Sequence, residues 1–251
     1  MDTTAAYSRK AEKYDRFRWD YSPNAIQTIF EFAQLSGESS VADIGGGTGI
    51  LSKHFLHKVK NVFMVEPNFE MRQIAETNLS AATIIAGAAE NTTLPDHSID
   101  LVTVAQAIHW FNPEPTLREF QRILKPQGWL AILRNYGTNK NLNESIESLS
   151  TEENGVDFSS SESLPEQKDM NFYFGHDHFH RKTFPFSFRQ SWEEFIGSLT
   201  SASYMPDDDS PLYSTLENAA RKVFDKFSID GWLTVCGETE LHLGQPISIK
   251  G

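Results

Sequence analysis

One cysteine, Cys236, stands in 251 residues. Neither a disulfide framework nor a cysteine-based metal site can be built within one such chain. No apolar run is long enough to span a bilayer, and the polar, charged N-terminus has no apolar signal core. A cytoplasmic protein without membrane contact is expected, and the N-x-S/T sequons starting at Asn78, Asn91 and Asn143 then read as chance matches. Basic residues are scarce beside acidic ones, 22 Lys and Arg against 34 Asp and Glu, for a formal net charge of −12. A broad nucleic-acid surface normally needs a basic stripe, so nucleic acid is a disfavoured partner, though a small basic site is compatible with this balance. No Gly-Lys-Ser/Thr tripeptide is present, which removes the phosphate-binding loop of NTPases. No internal repeat is found.

What is present is concentrated in Val41-Ala42-Asp43-Ile44-Gly45-Gly46-Gly47-Thr48-Gly49. An apolar run ends in an acid, and glycines follow at the alternate positions 45, 47 and 49. This reads as a buried strand entering a tight loop that lets a ligand approach the backbone, because glycine has no Cβ and tolerates positive φ. The amphipathic stretch Ile50 to His57 predicts a helix, which places the loop at a helix N-terminus. Such geometry fits a nucleotide-like ligand at the carboxyl end of a parallel sheet. The dinucleotide fingerprint would need a small residue where Ile50 stands, which disfavours an NAD-dependent dehydrogenase. The second run, Asn61-Val62-Phe63-Met64-Val65-Glu66, ends in an acid at about the ~20-residue distance expected for a ribose-binding carboxylate. An ionised carboxylate only accepts hydrogen bonds and so suits two ribose hydroxyls.

The acid followed by G-x-G-x-G resembles motif I of the class I S-adenosylmethionine-dependent methyltransferases. Further on come Gly87-Ala88-Ala89-Glu90, Leu94-Pro95, Ser98-Ile99-Asp100-Leu101-Val102 and Ala105-Gln106-Ala107-Ile108-His109-Trp110-Phe111. These look like the methyltransferase type 11 group, whose small-molecule members include trans-aconitate methyltransferase-like proteins. The resemblance implies S-adenosyl-L-methionine as cofactor. It also implies that Asp43, Gly45, Gly47 and Glu66 frame the cofactor, that Ala89 and Glu90 border its adenine, and that Ala105 and Gln106 lie beside its methionine part. The N-terminal pattern Tyr14-Asp15-x-x-Arg18-x-x-Tyr21-x-Pro23 resembles the family's arm over the cofactor. Tyr14 and Arg18 join the cofactor-binding set on that ground, and a guanidinium pairs bidentately with a carboxylate of cofactor or acidic substrate.

Strand and helix alternate over 41–136, at 41–44, 50–57, 61–66, 68–79, 82–87, 99–105, 114–124 and 129–135. That alternation predicts an α/β, doubly wound, mostly parallel seven-stranded sheet of Rossmann-like kind. Lys125-Pro126-Gln127-Gly128 supplies a helix stop. The chain is expected to form a single methyltransferase domain over 1–251, with an N-terminal arm and helix in 1–40 and the cofactor-binding core in 41–136. A variable helical insertion acting as a lid is expected in 137–190, with a mobile stretch from Ser159 to Ser163, and C-terminal helices and strands in 191–251. Trp192 to Ser203 and Leu212 to Phe227 read as helices, and Lys182 to Arg189, Leu233 to Val235 and Thr239 to Leu243 as strands.

For chemistry, methyl transfer needs in-line placement of a nucleophile, and a base only where that nucleophile keeps a proton. His109, after the fourth strand, is the candidate catalytic residue; imidazole suits proton transfer and a buried hydrogen bond alike. Arg134, ending the fifth strand, reads as an anion clamp or a surface residue. His176, His178 and His180 alternate, but no carboxylate or cysteine spacing completes a recognised metal site, and no metal is expected. The expected activity is methyl transfer from S-adenosylmethionine to a small-molecule acceptor. The alternatives are methylation of a tRNA base and a non-catalytic protein that binds S-adenosylmethionine, since fold does not fix function.

Overall fold

The computed structural model describes residues 10–156, 165–166, 168–176 and 178–247. In chain order these form helices α1 (Ala11–Phe17) and α2 (Pro23–Phe32), strands β1 (Ser40–Ile44) and β2 (Asn61–Val65), helix α3 (Phe69–Asn78) and strands β3 (Thr83–Ile85) and β4 (Ile99–Ala105). Helix α4 (Pro113–Ile123), strand β5 (Leu124–Gly137), helices α5 (Lys140–Glu147) and α6 (Met170–Phe174) and strand β6 (Phe179–Gln190) follow. Helices α7 (Trp192–Thr200) and α8 (Tyr213–Phe227) and strand β7 (Leu233–Gly244) complete the described chain. The seven strands make one sheet in the order β3-β2-β1-β4-β5-β7-β6. The pairings β1–β2, β1–β4, β2–β3 and β4–β5 are all parallel. The expected doubly wound, mostly parallel sheet is what the chain forms.

Period-two alternation builds this sheet. Ala42, Val102, Val104, Leu130 and Ile132 enter a core with Leu117, Phe120 and Ile123 of α4. Their neighbours Val41, Leu101, Ala131 and Leu133 enter another with Ile26 and Ile29 of α2. The central strands β1, β4 and β5 therefore serve two hydrophobic layers, as expected where helices cover both faces. The helices start where local chemistry directs. Pro113 occupies the first turn of α4, where its missing N–H costs no bond. The Asn68 side chain accepts from the Met71 N–H to cap α3. Ser191 and Glu194 form a reciprocal capping box on α7.

The chain divides into two compact units. The first takes in 1–19, 136–163 and 185–238, and the second 20–135, 164–184 and 239–251. The first has its own core, in which Phe195, Leu216, Ala220, Phe224 and Leu233 are buried. The second holds the two layers just described.

Several elements depart from expectation. Ile50 to His57 is not an α-helix; it is a run of turns with a 3-10 segment, Ser52–His54. Its backbone bonds mix steps of four and three, Lys53 N–H to Gly49 O and His54 N–H to Leu51 O. Its side chains bond outward, Ser52 to Asp43 and His54 to Asp20. The seven residues Ile50 to Leu56, between the glycine loop and a left-handed His57 (φ 60°), leave little room to propagate a helix. Lys125 to Gly128 follows the end of α4 as expected but lies inside β5, as a register irregularity opposite Ile99 and Leu101. The last two expected strands are one, β7. Of the alternating histidines, only His180 is on β6, where its ring packs edge-on to Phe32 at 4.7 Å. Ser159 to Ser163 lies outside the described residues.

Candidate active site

In an open α/β sheet a ligand site is favoured at the carboxyl ends of the strands, where the order reverses. Here β1 has β2 on one side and β4 on the other, so the reversal falls between β1 and β4. The glycine loop leaves β1 at that point. Gly45, Gly47 and Gly49 have φ of 69°, 59° and 90°, a region that strains residues with a Cβ. A Cβ on Gly45 would also stand 2.8 Å from Ala107 Cβ and 3.0 Å from the Phe111 ring. The loop therefore lies directly on the segment that follows β4.

The two acids expected at the cofactor are both buried, Asp43 at 1% exposure and Glu66 at 8%. Asp43 accepts from the Ser52 hydroxyl at 2.6 Å and the Thr103 hydroxyl at 2.8 Å. Burial lifts its carboxyl above the usual range, against the lowering effect of those two bonds. Asp43 thus pins the base of the loop to β4 and to the turn after the loop. Glu66 follows β2 and accepts from the Gly47 N–H at 3.0 Å and the Asn68 N–H at 2.9 Å. Its carboxyl too is raised by burial, with the Asn68 and Gly47 bonds and the Arg72 charge acting in the opposite direction. The Arg72 guanidinium donates to the Glu66 and Pro67 carbonyls at 2.8 and 2.7 Å. Each Glu66 oxygen takes one bond here and has the capacity for another.

The third segment turns tightly, with Ala88 and Asn91 exchanging backbone bonds. Ala89 is buried between them. The Glu90 carboxylate accepts from the Asn112 N–H at 2.8 Å and its side-chain amide at 3.2 Å, which sets an acid at the N-terminus of α4. At the end of β4, Ala105 faces Leu133 of β5. Gln106 then takes φ 55° and is held from both sides. Its N–H donates to Leu133 O at 3.0 Å, and its side-chain amide to Asn135 O at 2.9 Å. His109 lies in the 3-10 turn Ile108–Trp110, its ring 5.1 Å from that of Trp110. Burial, and then the Arg134 charge, lowers its pKa. Both effects favour the neutral imidazole over the charged one.

Asp43, Gly45, Gly47, Glu66, Ala89, Glu90, Ala105, Gln106 and His109 all belong to the second unit. Contacts join some of them: Gly47 donates to Glu66, Gly45 lies against Ala107 and Phe111, and Glu90 accepts from Asn112. Tyr14 and Arg18 belong to the first unit, on and just after α1, where the Arg18 guanidinium lies 4.9 Å over the Tyr14 ring. The sequence reading does not single out the supporting residues Ser52, Thr103, Asn68, Asn112 and Asn135. Asn68 and Asn112 had a readable signal, an Asn just before a helix. Ser52 and Thr103 had none, because their partner Asp43 is found only once the strands pair.

Residues 42–132 match a protein-family model described as a methyltransferase domain. An uncharacterized methyltransferase of Mycobacterium tuberculosis is 33% identical over 134 residues, 53% of this chain and 54% of its own length. An uncharacterized methyltransferase of Schizosaccharomyces pombe is 30% identical over 127 residues, 50% of this chain and 51% of its own. The chain spans about half the length of the curated relatives it matches. Among solved structures, the YcgJ protein of Bacillus subtilis superposes with a TM-score of 0.56 at 19% identity, over 92% of this chain and 100% of that one, a likeness of fold.

Proposed function

We propose that the protein transfers a methyl group from S-adenosylmethionine to a small-molecule acceptor. The observation that carries this reading is the bond from the Gly47 N–H to the Glu66 carboxylate. It brings an acceptor-only group and a glycine loop together where the strand order reverses. The methyltransferase-domain match over 42–132 supports the same reading. The residues fit the cofactor: Glu66 has acceptor capacity for two ribose hydroxyls, and the loop offers backbone without side chains. In this assignment Asp43, Gly45 and Gly47 shape the loop, Glu66 holds the ribose, Ala89 and Glu90 border the adenine, and Ala105 and Gln106 border the methionine part. Bound there, S-adenosylmethionine supplies an electrophilic methyl group on a sulfonium. The roles of Tyr14 and Arg18 rest on resemblance alone. Kinship with trans-aconitate methyltransferase-like proteins is proposed on the same footing, as kinship and not as a choice of acceptor.

His109 is assigned as the proton acceptor for a hydroxyl, thiol or amine acceptor. Burial and Arg134 keep its imidazole neutral, the form a base requires. Because its pKa is lowered, this role persists at neutral pH and is lost as pH falls below the lowered value, itself under the ordinary 6.5. Calorimetric titration with S-adenosylmethionine, S-adenosylhomocysteine and NAD tests the cofactor. Binding of the first two, and not of NAD, is expected; binding of NAD alone would overturn the reading. Turnover over hydroxyl, thiol and amine acceptors, with tRNA as a further arm, tests the acceptor class.

A further inference from the structure

Arg134, His242 and His109 share a corner of the second unit that the cofactor assignment does not use. Leu133 and Asn135, on either side of Arg134, both receive hydrogen bonds from Gln106. Arg134 therefore stands beside the anchored end of β4. Alternation along the strands fixes its side. Leu130 and Ile132 pack in the layer with α4, and Ala131 and Leu133 in the other, so Arg134 projects on the α4 side. On the adjacent strand β7, Leu241 and Leu243 pack in the α2 layer, which sends Glu240 and His242 to the α4 side. His109 lies between Ile108 and Phe111, which belong to the α4 layer. All these residues are in the second unit.

The charges in this corner do not balance within it. Arg181 donates to Glu240 through Nε at 2.6 Å, and its Nη2 lies 2.5 Å from the same oxygen. Glu240 is thereby engaged, and His242 Nε2 stands 3.9 Å from it, beyond hydrogen-bond reach. His242 is 7% exposed, and its Nδ1 has no hydrogen-bond partner among the described residues. A buried ring nitrogen left so costs free energy unless something supplies a partner. Arg134 is exposed and makes no ion pair among the described residues. Burial first, and then Arg134, lowers the pKa of His109. Burial first, and then Arg181 and Arg134 against Glu240, lowers that of His242.

We infer that this corner binds a carboxylate carried by the methyl acceptor, with the Arg134 guanidinium as anchor and the His242 ring N–H as second donor. A guanidinium presents a planar fork that matches a carboxylate bidentately, and His242 offers a donor in the tautomer protonated on Nδ1. Together with His109 as proton acceptor, the corner selects a small acid that is methylated on a separate hydroxyl, thiol or amine. The inference rests on the proposed cofactor reading, since both use the same end of the sheet.

The test uses the full chain saturated with S-adenosylhomocysteine. Succinate is titrated in while the histidine C2–H resonances are followed by NMR, with uncharged succinamide as control. Saturable shifts of the His242 and His109 signals are expected with succinate and not with succinamide. In Arg134→Gln, succinate should bind at least ten-fold more weakly, while both histidine pKa values rise because a neighbouring positive charge is gone. S-adenosylhomocysteine affinity, measured separately by calorimetry, should be unchanged in that variant. His242→Gln, checked for folding by its melting temperature, should also weaken succinate binding. Succinate that moves neither histidine in the wild type, or binds Arg134→Gln equally well, overturns the inference. So does a variant that loses S-adenosylhomocysteine and keeps succinate, because Arg134 would then hold the carboxylate of the cofactor. Failure of S-adenosylhomocysteine to bind the wild type sinks the cofactor reading instead, and succinate titration of the ligand-free protein still decides the anion site.

Discussion

The two units bury charge for different ends. In the first, Lys10 is 5% exposed, and its ammonium donates to the carbonyls of Ala202, at 2.8 Å, and Met205. All of that serves the chain itself, tying down the turn that follows α7. In the second, Asp43 and Glu66 are as deeply buried, yet their partners are the glycine loop, the turns beside it and Thr103 of β4. The first unit otherwise gains its order from aromatic packing. Trp192, Phe195 and Phe224 meet at centroid distances of 5.5 to 6.1 Å, and Trp19 meets Phe186 and Phe188 edge-on. The buried ammonium of the first unit ties down a turn, whereas the buried acids of the second fasten the backbone around the glycine loop.

That contrast can be broken most forcefully in the first core. Phe224 is 2% exposed, and Phe→Ala in such a place costs about 3–5 kcal/mol. Phe224→Ala should lower the unfolding free energy by that order in urea titrations while leaving S-adenosylhomocysteine affinity unchanged below its melting temperature. A selective loss of affinity in the folded variant would erase the distinction between the units. Asp43→Ala should act on both properties at once. It orphans the Ser52 and Thr103 hydroxyls, and bonds to a charged group are worth roughly 1.5–3 kcal/mol each. A loss of about 3 kcal/mol in stability is expected, with weakened cofactor binding; normal affinity would remove Asp43 from the account of the loop.

Much of this was readable before any strand was paired. β4 is expected over 99–105 and is found at Ile99–Ala105, because turn residues bound it and five of its seven residues are apolar. Gly45 and Glu66 were legible from residue type and spacing. The turns over Ile50 to His57 were not, since their apolar spacing is helical while their stability comes from Ser52 reaching Asp43 and His54 reaching Asp20. At Asp20, burial works to raise the carboxyl, but the bonds to His54 and Lys53 prevail and bring it to about 2. Pairings of that kind join residues 34 positions apart and leave no local trace. The same holds for the α4-side corner: Thr239 to Leu243 reads as a strand, but nothing local in the sequence sets β7 next to β5.

Smaller changes sharpen the contrast. Gly45→Ala sets a Cβ at φ 69° against Ala107 and Phe111. Strain at such a backbone conformation costs of order 1–3 kcal/mol, so a reduced melting temperature and a reduced ligand-induced shift are expected together. An undiminished shift would mean that the loop tolerates displacement without touching the ligand. At the low end, Arg16 and Glu193 pair at 2.6 Å with both side chains 67% exposed. Arg16→Ala should change stability by less than about 1 kcal/mol and affinity not at all; a larger effect in either would show that this surface pair does more than its exposure allows.

The central claim, that Glu66 and the glycine loop hold the ribose of S-adenosylmethionine, meets its most direct test in Glu66→Ala. Affinity for S-adenosylhomocysteine should be measured by calorimetry beside the wild type and Glu66→Gln, with folding verified by circular dichroism. Loss of a charge-assisted bond, typically ~1.5–3 kcal/mol, predicts roughly ten-fold or greater weakening in Glu66→Ala and a smaller loss in Glu66→Gln. A folded Glu66→Ala protein that binds S-adenosylhomocysteine as tightly as the wild type would contradict the account.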